Sequence, residues 1–253
     1  MRVGLVQYAP VWEDKQASKD KIQILCRAHK NKLDLLLFPE LTLTGFTMRS
    51  RKYAEALPGE SSEWFAQLAS FLASGIIFGI IELHQGAYYN TLVHIDKKGE
   101  IVSAYRKIHP FSYTGENRFY ASGISPAITE IDGYKFGLTV CYDLRFPELF
   151  RYYGKERCHG ILNIANWPVQ RIAHWNTLLQ ARAIENICYI LAVNRVGKDK
   201  TNTYNGASSV YSPFGERICY RENEAGILTC AIDLSRVDVM RNEFPFLDDI
   251  KLI

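Results

Sequence analysis

Short apolar runs that stop abruptly at polar residues recur along the whole 253-residue chain, and they constrain its fold more than any other feature. The stretch Leu33–Phe38 is apolar apart from Asp34, and it is too short for a helix. It reads as a strand buried on both faces, where no alternation is needed. Arg2–Tyr8, Ile76–Glu82, Tyr88–Ile95, Ile101–Arg106, Phe136–Val140, Ile161–Ile164, Cys188–Asn194, Ser208–Tyr211, Arg217–Tyr220 and Gly226–Ile232 read as further strands. Lys98-Gly99 and Phe214-Gly215 supply turns. Helical spacing is confined to Asp14–Lys30 (Ile22, Ile24, Leu25, Ala28), Ser61–Ala73 (Trp64, Phe65, Leu68, Ala69, Leu72), a helix beginning over Pro147–Tyr153, and Ala173–Asn186. Strands outnumber helices, and several follow one another with no helix between. That pattern favours mixed sheets over a doubly wound parallel sheet. It suits an α/β sandwich of two sheets with helices outside. No composition shift divides residues 1–253, so one domain is expected.

Composition narrows the function. Apolar residues make up 47% and charged residues 23%, and the net charge of +3 comes with no long basic run. A nucleic-acid partner is therefore not expected. No window is apolar enough to span a membrane, and the N-terminus does not read as a signal peptide. Six scattered cysteines form no CxxC, which points to a soluble, reduced, cytoplasmic protein whose cysteines are mostly buried and unlinked. The histidines form neither HExxH nor HxH, so no metal and no other cofactor is expected.

Three segments carry chemistry. In Leu35-Leu36-Leu37-Phe38-Pro39-Glu40 a carboxylate follows a buried strand. In Tyr105-Arg106-Lys107-Ile108-His109-Pro110-Phe111 two cations end a strand and enter an aromatic loop. In Phe136–Glu148 a cysteine, Cys141, ends a buried strand just before a helix start, where its side chain would stand exposed above the sheet. Nearby positive charge and a helix N-terminus would favour its thiolate. Each segment alone has an ordinary structural explanation. Together they supply a base (Glu40), a cation (Lys107) and a nucleophile (Cys141), the three groups that acyl transfer through a thiol requires.

These segments, as FPELTLTGF, YRKIHPF and GLTVCYDLRFPELFR, resemble the three signatures of the nitrilase superfamily of carbon–nitrogen hydrolases. The resemblance implies a four-layer αββα sandwich, pairing into a homodimer, and a Glu40–Lys107–Cys141 triad. It implies a further active-site glutamate, falling on Glu116 of Thr114-Gly115-Glu116. The segments Asn166-Trp167-Pro168, Ala173-His174-Trp175, residues 179–186 and Asn194-Arg195-Val196-Gly197 resemble the bacterial omega-amidase branch. Those enzymes hydrolyse the terminal amide of 2-oxoglutaramate and related dicarboxylate monoamides. A substrate of that kind needs a cation for its free carboxylate. Arg145 and Arg171 are the candidates, with a structural pair between Arg145 and Glu148 as the competing role. Phe46, Phe111, Tyr142 and Trp167 are candidate pocket walls, and the backbone N–H of Tyr142 a candidate oxyanion donor. His174-Trp175 is expected to pack, and Arg182 to pair with Glu185. Other carboxylate-bearing substrates, such as deaminated glutathione or an N-carbamoyl amino acid, stay open, as does a non-catalytic scaffold.

Overall fold

In the computed structural model, which describes residues 1–252, the apolar runs resolve into two mixed sheets. The first half of the chain forms β1 (Arg2–Gln7), α1 (Lys15–Cys26), β2 (Leu35–Leu37), α2 (Ser50–Tyr53), α3 (Glu60–Leu72), β3 (Gly75–His84), β4 (Ala87–Ile95) and β5 (Ile101–Arg106). The second half begins with β6 (Ile128–Ile131), β7 (Tyr134–Val140), α4 (Pro147–Lys155), β8 (Gly160–Ala165), α5 (Ile172–Asn186) and β9 (Tyr189–Asn194). It ends with β10 (Val196–Lys198), β11 (Thr203–Tyr211), β12 (Arg217–Glu222), β13 (Gly226–Ala231) and α6 (Ser235–Glu243). One sheet has the order β13-β1-β2-β3-β4-β5, with β1, β2 and β3 parallel. The other has the order β10-β11-β9-β8-β7-β6, with β7, β8 and β9 parallel and β12 paired to β11.

Alternation along the strands builds the four layers. Val3, Leu5, Leu35, Leu37, Ile77 and Leu92 join Phe136, Leu138 and Val140 in the core between the sheets. Their neighbours Val6, Leu36, Phe38, Ile76, Phe78 and Val93 point the other way, onto Ile22 and Cys26 of α1 and Phe65 and Leu68 of α3. Phe65 stacks on Phe78 at 4.0 Å between centroids. Each such fully buried side chain contributes about 1.5–3 kcal/mol. On the far side, Gly137 of β7 lies so close to Tyr153 of α4 that an added Cβ would come within 2.4 Å of the ring. Helices therefore cover the outer face of both sheets.

Two expectations need correction, and two strands were missed. Ile24 is on the solvent side of α1, because the helix buries only the stripe through Ser18, Ile22 and Cys26. The strands β6 and β10 carried no apolar run long enough to be read. The helix expected from Pro147 is present: α4 begins at that residue, after a 3₁₀ turn over Cys141–Arg145. The cysteines are not all unlinked: Cys219 of β12 and Cys230 of β13 form a disulfide where the chain passes from one sheet to the other. Cys26, Cys158 and Cys188 are buried as expected. Among the described residues no helix is long and apolar enough to cross a membrane.

Candidate active site

Three strand ends and one loop deliver the site. Glu40 follows β2 in a tight turn in which Leu41 takes a left-handed φ of 44°. Thr42 ties that turn down: its hydroxyl donates to the Pro39 carbonyl (2.6 Å) and accepts from the Gly79 N–H (2.9 Å). Gly79 of β3 permits the approach, since a Cβ there would lie 2.5 Å from the Leu41 nitrogen. Lys107 follows β5, its N–H donating to the Asn90 carbonyl (2.9 Å). Glu116 sits in the next loop, after Gly115 at φ 79°. Cys141 ends β7 at a positive φ of 49°, a conformation that turns the chain sharply out of the sheet.

The structure brings all four together. Glu40 and Glu116 are fully buried and Lys107 is nearly so. The Lys107 ammonium donates to Glu40 Oε1 (2.9 Å) and to Glu116 Oε1 and Oε2 (3.1 and 2.9 Å). Burial works against the Lys107 charge, but Glu116 and Glu40 outweigh it and hold its pKa well above the usual lysine value. The Asn90 side-chain amide donates to both glutamates, and the Phe111 N–H donates to Glu116. The Asn166 N–H, just past the end of β8, donates to Glu40 Oε2 (2.9 Å) and also lies against the Cys141 sulfur.

Cys141 departs from the thiolate expectation. Burial and the Glu40 charge push its thiol well above the ordinary value, and Lys107 and the Asn166 N–H offset this only in part. That balance favours the protonated thiol of Cys141 over its thiolate. Asp143, fully buried, fixes the turn that follows. It accepts from the Val140 N–H (2.9 Å), the Tyr105 hydroxyl (2.9 Å) and the His109 N–H (3.1 Å), and pairs with His109 Nδ1 at 2.7 Å. One carboxylate thus ties the cysteine turn to the loop that carries Lys107.

Cys141 and Lys107 open into a cleft whose walls include Phe46, Phe111, Tyr142 and Trp167. Arg145 and Arg171 line the same cleft. Arg145 forms no pair with Glu148. It lies over the Trp167 ring (5.0 Å) and hydrogen-bonds His174 Nδ1 (3.0 Å). Arg171 lies over the Phe111 ring (5.3 Å). Neither guanidinium meets a carboxylate among the described residues. Trp175 packs fully buried while His174 is exposed, and Arg182 pairs with Glu185 at 3.0 Å. A broader groove between α1 and α3, beside Ile24, Trp64 and Phe71, is remote from these groups and holds no nucleophile.

Sequence reading missed Asn90, Asp143, Asn202 and Tyr204 as site residues, and quoted Asn166 without a role. Asn202 and Tyr204 reach the cleft from the β10–β11 hairpin. Asn90 lies mid-strand in β4 with no local signal. Asp143 and Asn166 lie inside quoted segments, and that placement was the one available clue.

Comparison with known proteins agrees with this architecture. A sequence model described as carbon-nitrogen hydrolase matches residues 2–242. A 2-oxoglutaramate amidase of Bacillus subtilis is 32% identical over 233 residues, covering 91% of this chain and 90% of the relative. An omega-amidase of Yersinia enterocolitica is 33% identical over 254 residues, covering 98% and 96%. The crystal structure of a CN-hydrolase superfamily protein from Xanthomonas campestris, carrying an arsenic adduct in its active site, superposes with a TM-score of 0.95. It is 30% identical and covers 100% of this chain and 98% of that one.

Proposed function

Because this chain belongs to the carbon–nitrogen hydrolase family, and so hydrolyses amides, we propose that its substrate is a dicarboxylate monoamide such as 2-oxoglutaramate. The observation that carries this reading is one cleft with two kinds of group. Cys141 stands beside the Glu40–Lys107–Glu116 cluster, and Arg145 and Arg171 line the same walls without carboxylate partners. The first set suits amide cleavage, the second a free carboxylate. The names of the amidases from Bacillus subtilis and Yersinia enterocolitica support the same substrate class.

In the proposed reaction the Cys141 sulfur attacks the amide carbon and its proton passes to Glu40. The carbonyl oxygen becomes an oxyanion beside the Lys107 ammonium and the Tyr142 N–H. To serve it, the ammonium shares or gives up one of its three resting contacts, to Glu40 Oε1 (2.9 Å) and to Glu116 Oε1 and Oε2 (3.1 and 2.9 Å). The carbon–nitrogen bond then breaks, Glu40 returns the proton to the leaving nitrogen, and ammonia departs. Water attacks the thioester, gives its proton to Glu40, and the regenerated thiol takes that proton back.

We further propose that two copies pair through the aromatic ladder Phe214–Phe244–Phe246, in which Phe214 and Phe246 are exposed and Phe244 half-buried, beside exposed Ile184. Phe246→Asp then shifts sedimentation to the monomer.

Ammonia release tests the substrate. Wild type, Cys141→Ala, Arg145→Met and Arg171→Met are compared on 2-oxoglutaramate, succinamate, an N-carbamoyl amino acid and a neutral aliphatic amide. Turnover of the first two, lost in Cys141→Ala and with KM raised in an arginine variant, is the expected result. Equal turnover of the neutral amide, or arginine variants with unchanged KM, refutes carboxylate recognition.

A further inference from the structure

We infer that Asn90 is a positioning residue that keeps Glu40 and Glu116 both ionised around a single lysine, so that Glu40 is ready to take the thiol proton. The inference rests on the cysteine–glutamate chemistry proposed above, but not on the identity of the substrate.

The hydrogen bonds carry it. Asn90 is 1% exposed, and its Nδ2 donates to Glu40 Oε1 (2.7 Å) and to Glu116 Oε1 (3.0 Å). The other partners of these four oxygens are the Lys107 ammonium, the Asn166 N–H and the Phe111 N–H. Every partner is a donor. A proton placed on either carboxyl would find no acceptor on the protein side and would displace a bond already made. Two buried carboxylates sharing one cation still carry a net negative charge, and such a pair ordinarily takes up a proton. Asn90 opposes that by adding one N–H to each carboxylate from a neutral group.

The orientation of its amide follows from the same contacts. Rotated by half a turn, Asn90 would set a carbonyl oxygen at hydrogen-bond distance from two carboxylate oxygens, which is repulsive. In the observed orientation Asn90 Oδ1 is buried with no partner. An unsatisfied buried acceptor is costly. It persists here because both amide hydrogens are committed to the glutamates.

Placement fits the role. Asn90 sits in β4, opposite Ile81 of β3 and beside the end of β5, and its carbonyl accepts from the Lys107 N–H (2.9 Å). One residue therefore holds the backbone of the lysine and the side chains of both acids. The remaining titratable groups facing the cluster are Cys141, Tyr120 from the loop after Glu116, and Tyr204 from β11. Burial pushes both tyrosine hydroxyls above their ordinary value, so they stay neutral and add no charge.

The test is the pH profile of two readouts in wild type, Asn90→Ser and the isosteric Asn90→Asp. One is ammonia release. The other is alkylation of Cys141 by iodoacetamide, located by peptide mass spectrometry, which needs no substrate. In Asn90→Ser the acid limb of both profiles moves to higher pH by about one to two units, the size of a charge-assisted hydrogen bond, and kcat falls more than KM changes. Asn90→Asp, which places a third carboxylate in the cluster, moves the limb further. An alkylation limb that shifts while no dicarboxylate monoamide is turned over keeps the inference and discards the substrate. Limbs that stay in place while kcat falls show a merely structural asparagine and overturn it. Should neither variant fold, carbon-13 NMR of wild type labelled in its glutamate carboxyls decides. A cluster carboxyl that is still protonated at pH 7 overturns the inference, and two ionised ones sustain it.

Discussion

Lys107→Met gives the most direct test of the buried charge cluster. Methionine keeps the length of the aliphatic stem but removes the ammonium, leaving Glu40 and Glu116 buried together without a cation. Lys107 is 1% exposed and both glutamates 0%, so solvent cannot replace it. Breaking a buried pair by removing one partner costs about 3–5 kcal/mol. Here Glu40 keeps the Asn90 and Asn166 donors and Glu116 keeps the Asn90 and Phe111 donors. The loss should therefore lie near the lower end, about 3 kcal/mol at pH 8, a large share of the typical 5–15 kcal/mol. The pH dependence has a definite sign. Without the lysine, the folded state takes up a proton between the two carboxylates that the unfolded state at neutral pH does not hold. More protons bound when folded means that stability falls as pH rises, so the deficit shrinks toward pH 5. Urea unfolding at pH 5 and pH 8 reads this difference. Ammonia release should fall at least about 100-fold, the cost of one lost oxyanion donor. A variant as stable as wild type at pH 8, or one whose deficit grows toward pH 5, refutes the reasoning.

Other sites give independent checks. Gly79→Ala forces a Cβ to within 2.5 Å of the Leu41 nitrogen, so the Glu40 turn must move; activity on the best amide should drop at least about tenfold while the melting transition stays cooperative. Asp143→Asn keeps the shape but weakens the acceptor for four donors, and should slow Cys141 alkylation while lowering stability by about 1–3 kcal/mol in urea. His94, buried against Thr129 (2.7 Å), has its pKa lowered by burial to about 4. The unfolded chain then binds a proton near pH 6.5 that the folded chain refuses, so stability is full above pH 6.5 and declines by up to about 3 kcal/mol as pH falls to 4. His94→Gln should flatten that decline, and a variant with an unchanged slope contradicts it.

Much of the fold was legible because its strands are buried on both faces. Leu33–Phe38, Phe136–Val140 and Ile161–Ile164 can be little else than central strands of a covered sheet. The edge elements were not legible. β6 and β10 are held by neighbours rather than by their own apolar content, and Ile24 breaks the helical stripe because α1 needs only a narrow buried face. The pairing of Cys219 with Cys230 depends on where two separate sheets meet, which local sequence does not encode.

The site divides in the same way. Glu40, Lys107 and Cys141 each follow a strand, and residue type alone offers them as candidate base, cation and nucleophile. Sequence also placed Arg145, Arg171 and the aromatic walls near the motifs that carry them. Only tertiary structure decided the rest. The family resemblance had already put Glu116 beside Lys107; the fold brought Asn90 from the middle of β4 to both acids and used Asp143 to tie the cysteine turn to the lysine loop. It also reversed the expected state of the thiol, since burial and the Glu40 charge outweigh the nearby lysine. The physical reason is that a chain writes side-chain chemistry locally, whereas desolvation and hydrogen-bond partners are properties of packing between distant segments.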